Sequence, residues 1–293
     1  MKLTVTGATG LLGRAVVKEL AKSDGFEVTG LGYSRAKPPL VKLDLMASAE
    51  LTRYFKQEKP EIIVHCAAER RPDVSREKPE ESRILNVEVT ERLAATAAEM
   101  NSFLLYISSD YVFDGKSPPY RVDSSTNPIN FYGSTKLAGE KAVVKLCRDY
   151  CILRLPILYG GDLFRGESAI TSIAEELGQQ QGGGFDNWAT RYPTCTSDVA
   201  RVIRRILEYR AAHPDTAGIF HWSGDEPYTK YEMALVMARV MGIPAESVRP
   251  ANAPAGGTKR PKDSHLDCSA LEELGIGSQS SFRTNIGELL SRT

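Results

Sequence analysis

No run of the 293-residue sequence is apolar for long enough to cross a bilayer. Its longest apolar stretches, within residues 61–68 and 103–107, fall far short of the roughly 20 residues that a membrane helix needs. There is no excess of charge of either sign, since 37 Lys and Arg balance 37 Asp and Glu. Nucleic-acid binders carry a basic excess or a basic face, so a polyanion partner is not expected. Cysteine is sparse: Cys66, Cys147, Cys151, Cys195 and Cys268 are odd in number and contain no CxxC pair. They read as reduced thiols, not as a disulfide frame or a zinc site. His65, His213, His221 and His265 show no metal-ligand spacing with one another or with the cysteines, so no metal is expected. The N-terminus runs into a polar turn without a signal-peptide pattern. A cytoplasmic enzyme or binding protein is the expectation that survives these absences.

What is present has a clear rhythm over residues 1–160. Lys2–Thr6 reads as a strand ending in glycines, followed by Leu11, Leu12, Ala15, Val16 and Leu20 at helical spacing. Phe26–Leu31, Glu61–Ala67, Phe103–Ser108 and Cys151–Leu155 read as further strands. Leu51–Lys59, Pro79–Met100 and Tyr132–Leu146 read as the helices between them, with Glu77–Glu81 a solvated helix start. Such alternation implies right-handed β-α-β units and an α/β fold, a Rossmann-like doubly wound parallel sheet. Residues 1–160 would form this dinucleotide-binding domain, completed by segments near 195–222, and 161–293 a smaller C-terminal α/β lobe. In that lobe Gly178–Gly184 (GQQQGGG) and Ala251–Pro261 read as loops. Asp198 is placed to cap a helix through Tyr209, and Ile219–Trp222 reads as a strand. Thr229 with Glu232, and Ser269 with Glu272, fit capping boxes.

The first β-α unit carries Gly7-Ala8-Thr9-Gly10-Leu11-Leu12-Gly13. In a dinucleotide fold the first glycine permits the tight turn. The second lets the backbone approach a pyrophosphate, and the third lets helix pack closely on strand. An acidic residue at the end of the second strand would select NAD through the ribose 2′-hydroxyl. Here the segment is Gly32-Tyr33-Ser34-Arg35-Ala36-Lys37, whose hydroxyl and cations suit a 2′-phosphate, with no local carboxylate to repel it. NADP(H) is the expected cofactor, and a solvated basic loop the alternative.

Tyr132 and Lys136 stand four residues apart on one helix face. A nearby ammonium would lower the phenol pKa and equip it to exchange a proton during hydride transfer. Ser109, ending the strand before, would polarise the same carbonyl. Among tempting residues, His65, Cys147 and Cys151 read as core, and so, by default, do Trp188 and Trp222.

The triad Ser109, Tyr132 and Lys136, with Gly7, Gly10 and Gly13, resembles that of the extended short-chain dehydrogenases/reductases. ISSDYVFDG (107–115) and YGSTKLAGEK (132–141) are similar to the dTDP-4-dehydrorhamnose reductase branch. A closer resemblance is to the family of regulatory beta subunits of methionine adenosyltransferase. It is carried by GATGLLGRAV (7–16), IVHCAAERRPDV (63–74), YISSDYVFDG (106–115), LRLPILYG (153–160), FHWSGDEPYTKYEMA (220–234) and LDCSALEELGIG (266–277). The resemblance implies that Thr9, Gly10, Leu11 and Leu12 cradle the pyrophosphate, and that Tyr33, Ser34 and Arg35 hold the 2′-phosphate. It further implies that Asp44 and Leu45 flank the adenine and that Cys66 and Arg70 border the nicotinamide. Tyr132, Lys136 and Leu158 complete that set. Arg70-Arg71 would serve an anionic group or form a surface pair bridged to Asp73 or Glu77.

Two functions follow from the resemblance. One is a non-catalytic, NADP-binding regulatory subunit that modulates S-adenosylmethionine synthesis, with the methionine adenosyltransferase catalytic subunit as partner. The other is an NADPH-dependent reductase of a keto-sugar nucleotide that uses Ser109, Tyr132 and Lys136. The family's beta subunits usually carry an N-terminal extension and an apolar, basic C-terminal tail that docks into the catalytic subunit. Neither is seen in this sequence, so docking through that tail is not the expectation, and other surfaces are left open to that partner.

Overall fold

Short β-branched runs bounded by glycine, proline or helix caps form the strands. The computed structural model describes residues 1–161, 166–179, 184–254 and 256–292. In chain order its first half contains β1 (Lys2–Thr6), α1 (Leu11–Leu20), β2 (Glu27–Gly32), β3 (Val41–Lys42), α2 (Ser48–Glu58), β4 (Ile62–His65), α3 (Pro72–Glu77), α4 (Pro79–Arg83), a π-helical turn (Ile84–Glu88), α5 (Val89–Met100), β5 (Phe103–Ser109), α6 (Phe131–Leu146) and β6 (Tyr150–Leu155). There follow β7 (Leu158–Tyr159), α7 (Thr171–Gly178), β8 (Phe185–Asp186), β9 (Thr194–Cys195), α8 (Thr196–Ala212), β10 (Gly218–His221), α9 (Lys230–Met241), β11 (Pro250–Ala251), α10 (Ser269–Glu272) and α11 (Phe282–Arg292).

Seven strands form one parallel sheet in the order β3-β2-β1-β4-β5-β6-β10. Strand residues alternate between its two faces. Leu3, Val5, Ile62, Val64, Phe103 and Leu105 point to one side, where they meet Val16 and Leu20 of α1 and Ile203 and Leu207 of α8. Ile63, Leu104, Tyr106 and Ile152 point to the other, against Phe55, Leu93 and Val143 of α2, α5 and α6. Both faces are covered, so the sheet is doubly wound, a Rossmann-like α/β fold. Its order reverses between β1 and β4, which opens a crevice beyond the C-terminal ends of those strands. A third apolar cluster, including Tyr159, Ile173, Met237 and Phe282, holds α7, α9 and α11 together. Among the described residues no helix is long and apolar enough to cross a membrane.

Several local expectations need correcting. The helix expected over 79–100 is interrupted by the π turn, and α3 precedes it without having been foreseen. Asp198 does not cap α8; the helix starts two residues earlier, and the Asp198 carboxylate instead accepts bonds from Arg201, Ser278 and Ser280. Ser269 is the first residue of α10, not its cap, and the Asp267 carboxylate accepts its amide N–H at 2.9 Å. At α9 the expected capping box does form, between Thr229 and Glu232. Of the loop expected at 178–184, residues 180–183 lie outside those described.

Candidate functional site

The crevice is lined first by the glycine turn. Gly7 has φ +67°, a conformation L side chains rarely adopt, and a Cβ there would stand 2.7 Å from the Ala67 amide nitrogen. A Cβ at Gly13 would fall 2.2 Å from the Gly7 carbonyl oxygen, so α1 can lie this close to β1 only with glycine there. No side chain caps α1 at Gly10. The positive end of that helix is therefore open to an anion. Leu11 and Leu12 are buried in the protein, so toward the crevice they offer backbone N–H groups.

Tyr33, Ser34 and Arg35 form an exposed loop directly after β2. Asp44 turns its carboxylate back onto the Met46 amide at 2.9 Å, and Leu45 is buried among core residues. Cys66 follows β4, half-buried, and burial pushes its thiol up to about 12. Leu158, half-buried in β7, packs against the sheet core.

Arg70 donates to the main-chain carbonyl of Glu167. The same residue's carboxylate takes a two-point ion pair from Arg14, at 2.9 and 2.7 Å, and lies 3.4 Å from the Arg35 guanidinium. The expectation of no carboxylate near Arg35 is thereby overturned. It held along the strand but not in space, because Glu167 lies 132 residues away in sequence. Arg71 pairs with Glu69 and Asp73 pairs with Arg260, so the expected surface bridge from the double arginine to Asp73 or Glu77 is not the one that forms.

At the other end of the crevice Asn130 caps α6 through the Gly133 amide at 2.8 Å, and the helix brings Tyr132 to Ser109 and carries Lys136 one turn further on. All three side chains are buried. The expected tuning of Tyr132 by Lys136 is not found. Burial drives the phenol well above its usual range, opposed by a hydrogen bond with Ser109 and by the more distant Arg70. The Lys136 ammonium stands 4.2 Å over the Tyr106 ring, and burial pushes it down to about 7 against the pull of Glu140 and Cys66. Desolvation exceeds the pairwise attraction because both groups sit inside the protein.

Three participants carried no sequence signal of their own. Asp110 accepts from Ser109 Oγ at 3.0 Å and from Ser264 Oγ at 2.5 Å, and burial raises its carboxyl to about 6. Asn86, in the π turn, accepts from the Glu69 amide at 2.9 Å and donates to the Glu69 carbonyl and to Thr135, so it ties the Arg70 loop to α6. Arg14 lies within GATGLLGRAV but was not read as part of the site. Among the described residues no group of His, Cys, Asp or Glu could hold a metal ion.

The family model that describes the RmlD substrate binding domain matches residues 1–293. This chain belongs to that family. The "Methionine adenosyltransferase 2 subunit beta" of Xenopus tropicalis is 47% identical over 98% of this RmlD-family chain and 86% of its own length. Among solved structures, a dTDP-4-dehydrorhamnose reductase ortholog from Clostridium acetobutylicum superposes with a TM-score of 0.85 at 27% identity, covering 100% of this chain and 99% of that one. The dTDP-4-dehydrorhamnose reductase of Bacillus anthracis, solved in complex with NADP, reaches 0.84 at 23% identity over 100% and 98% of the two chains, a likeness of fold.

Proposed function

We propose that this chain is an NADP-binding beta subunit that modulates S-adenosylmethionine synthesis by a methionine adenosyltransferase catalytic subunit. The observation that carries this reading is the 47% identity, over nearly the whole chain, with the Xenopus tropicalis beta subunit. The crevice supports the cofactor. Gly7 and Gly13 leave no room for side chains, and the open N-terminus of α1 suits a pyrophosphate held on Thr9 to Leu12. Tyr33, Ser34 and Arg35 would hold the 2′-phosphate, with the adenine beside Asp44 and Leu45. The nicotinamide would lie near Cys66, Arg70, Tyr132, Lys136 and Leu158. When bound, the nicotinamide supplies or accepts a hydride.

A catalytic alternative rests on one specific observation, the hydrogen bond between buried Ser109 and Tyr132, with Lys136 buried one turn further along α6. In it the chain reduces a keto-sugar nucleotide, with Tyr132 giving the proton and Ser109 polarising the carbonyl. In the resting chain the Ser109 hydroxyl is shared between the Asp110 carboxylate and the Tyr132 phenol. A raised phenol pKa keeps Tyr132 protonated, which suits a proton donor but not a base.

Two measurements test these readings. Mixing the chain with a methionine adenosyltransferase catalytic subunit should give a co-eluting complex with altered kinetics, while NADPH oxidation with dTDP-4-keto-sugars should stay at background. Turnover abolished by Tyr132→Phe, together with no complex, would overturn the regulatory reading. In a separate titration, Arg35→Ala should weaken NADPH binding by about tenfold, the worth of one charge-assisted hydrogen bond. NADPH affinity unchanged by that substitution would sink the assignment of the 2′-phosphate to Arg35.

A further inference from the structure

Glu167 is where the cations of the crevice converge. Its side chain is 4% exposed, so this carboxylate is held inside the protein. Arg14 projects from α1, Arg35 from the loop after β2 and Arg70 from the loop after β4. These three elements frame the crevice, and all three guanidiniums meet Glu167. The Arg14 fork is committed, since Nη1 also donates to the Thr9 carbonyl at 2.8 Å and Nη2 to the Gly161 carbonyl at 3.0 Å. Arg35 is placed differently. It is 51% exposed and reaches Glu167 only at 3.4 Å, so it is free to turn toward a ligand.

A 2′-phosphate arriving at Arg35 therefore meets a carboxylate already beside that cation. Two anions sharing one guanidinium repel each other; the Arg14 fork offsets part of the Glu167 charge, and what is left is weakly screened on the buried side. A ribose 2′-hydroxyl brings no such conflict, because it carries no charge to repel the carboxylate. Dinucleotide folds that select NAD ordinarily obtain this carboxylate from the end of the second strand. Here that strand ends in Gly32 and runs into Tyr33, and the carboxylate that reaches Arg35 comes from a remote segment.

We propose that Glu167 is a specificity-determining residue of the dinucleotide site. It competes with the 2′-phosphate for Arg35 and narrows the preference for NADP(H) over NAD(H) that Arg35 alone would give. The proposal rests on the dinucleotide reading above and adds to it a second, opposing charge. The site then accepts both dinucleotides with weak discrimination, instead of rejecting NAD(H).

The test is calorimetric titration of the full chain with NADPH and with NADH, as wild type and as Glu167→Gln. Gln keeps the shape and an oxygen for Arg14 but removes the charge. The ratio of NADPH to NADH affinity should rise about three- to tenfold, mainly through tighter NADPH. Adding Arg35→Ala to Glu167→Gln should abolish that gain. Should Glu167→Gln melt below the assay temperature, Glu167→Asp carries the same comparison, because one fewer methylene withdraws the charge from Arg35. A ratio that stays constant or falls, with NADPH still binding to the wild type, overturns this role for Glu167 and leaves the cofactor reading standing. Binding of neither dinucleotide to wild type or variants overturns both.

Discussion

Glu140→Gln is expected to lower the unfolding free energy by about 3–5 kcal/mol, the usual cost of leaving one partner of a buried ion pair alone. Glu140 and Arg154 are each 2% exposed, and two parallel bonds join them, Nε to Oε1 at 2.9 Å and Nη2 to Oε2 at 2.7 Å. Ser108 Oγ adds a donor to the same carboxylate at 2.5 Å. The Arg154 guanidinium also faces the Phe113 ring, 5.1 Å from its centroid, so no route to solvent is provided on that side. With Gln in place, the cation keeps one acceptor at position 140, besides the Val122 carbonyl and His221 Nε2, and loses its counter-charge. Replacing both residues by Leu should recover most of the loss, because two desolvation costs disappear together. Urea denaturation of the parent chain and the two variants measures this. A single-mutant loss below about 1 kcal/mol, the range of exposed pairs, would mean that Arg154 escapes to water. Glu140 lies one turn from Lys136 on α6 and holds that ammonium's pKa up. The same substitution should therefore push Lys136 further below its usual range.

Stability should fall as pH drops from about 6.5 toward 4, because two histidines are buried neutral. Burial pushes His65 down to about 3 and, with help from Arg154, His221 down to about 4. Their hydrogen bonds fit the neutral ring. His65 Nδ1 accepts from Thr6 Oγ1 at 2.7 Å, while Nε2 donates to Thr90 Oγ1, whose own proton goes to the Asn86 carbonyl. His221 Nε2 accepts from Arg154 and Nδ1 donates to the Tyr120 carbonyl. Both folded pKa values lie below the unfolded one, so the stabilisation is complete above pH 6.5. As the pH falls below that, the unfolded chain takes up protons first and gains by up to about 1.4 kcal/mol per pH unit for each histidine. Asp110 works in the opposite direction. Its folded pKa of about 6 lies above the usual carboxyl value, so it adds stability as pH falls through 6. Two histidines outweigh one aspartate, and the melting temperature should drop between pH 7 and 5. His221→Asn should flatten part of that slope. A profile already flat in the parent chain would contradict the neutral histidines.

Local sequence was sufficient wherever neighbouring residues decide the outcome. β-Branched runs at regular intervals determined the parallel strands, and alternation along them determined which residues enter each side of the core. The turn after β1 was legible because only glycine tolerates φ +67° at Gly7 and the 2.2 Å approach at Gly13. Thr229 and Glu232 determined the start of α9 because a capping box closes within four residues. Where a polar side chain had a choice between a local and a distant partner, the local pattern misled. Asp198 and Ser269 have cap-like spacing, yet packing against residues 278–280 and the turn at Asp267 took precedence.

The electrostatics of the site were decided by tertiary structure alone. Glu167 reaches Arg35 across 132 residues and Ser264 reaches Asp110 across 154. No spacing rule links such positions, because the connecting chain passes through other elements. Lys136 shows the same limit in a different form. Its spacing from Tyr132 is written in the sequence, but its charge state follows from how deeply the sheet and α6 bury it. Charge pairing and desolvation depend on distance and on exclusion of water, and both come into being only when remote segments pack.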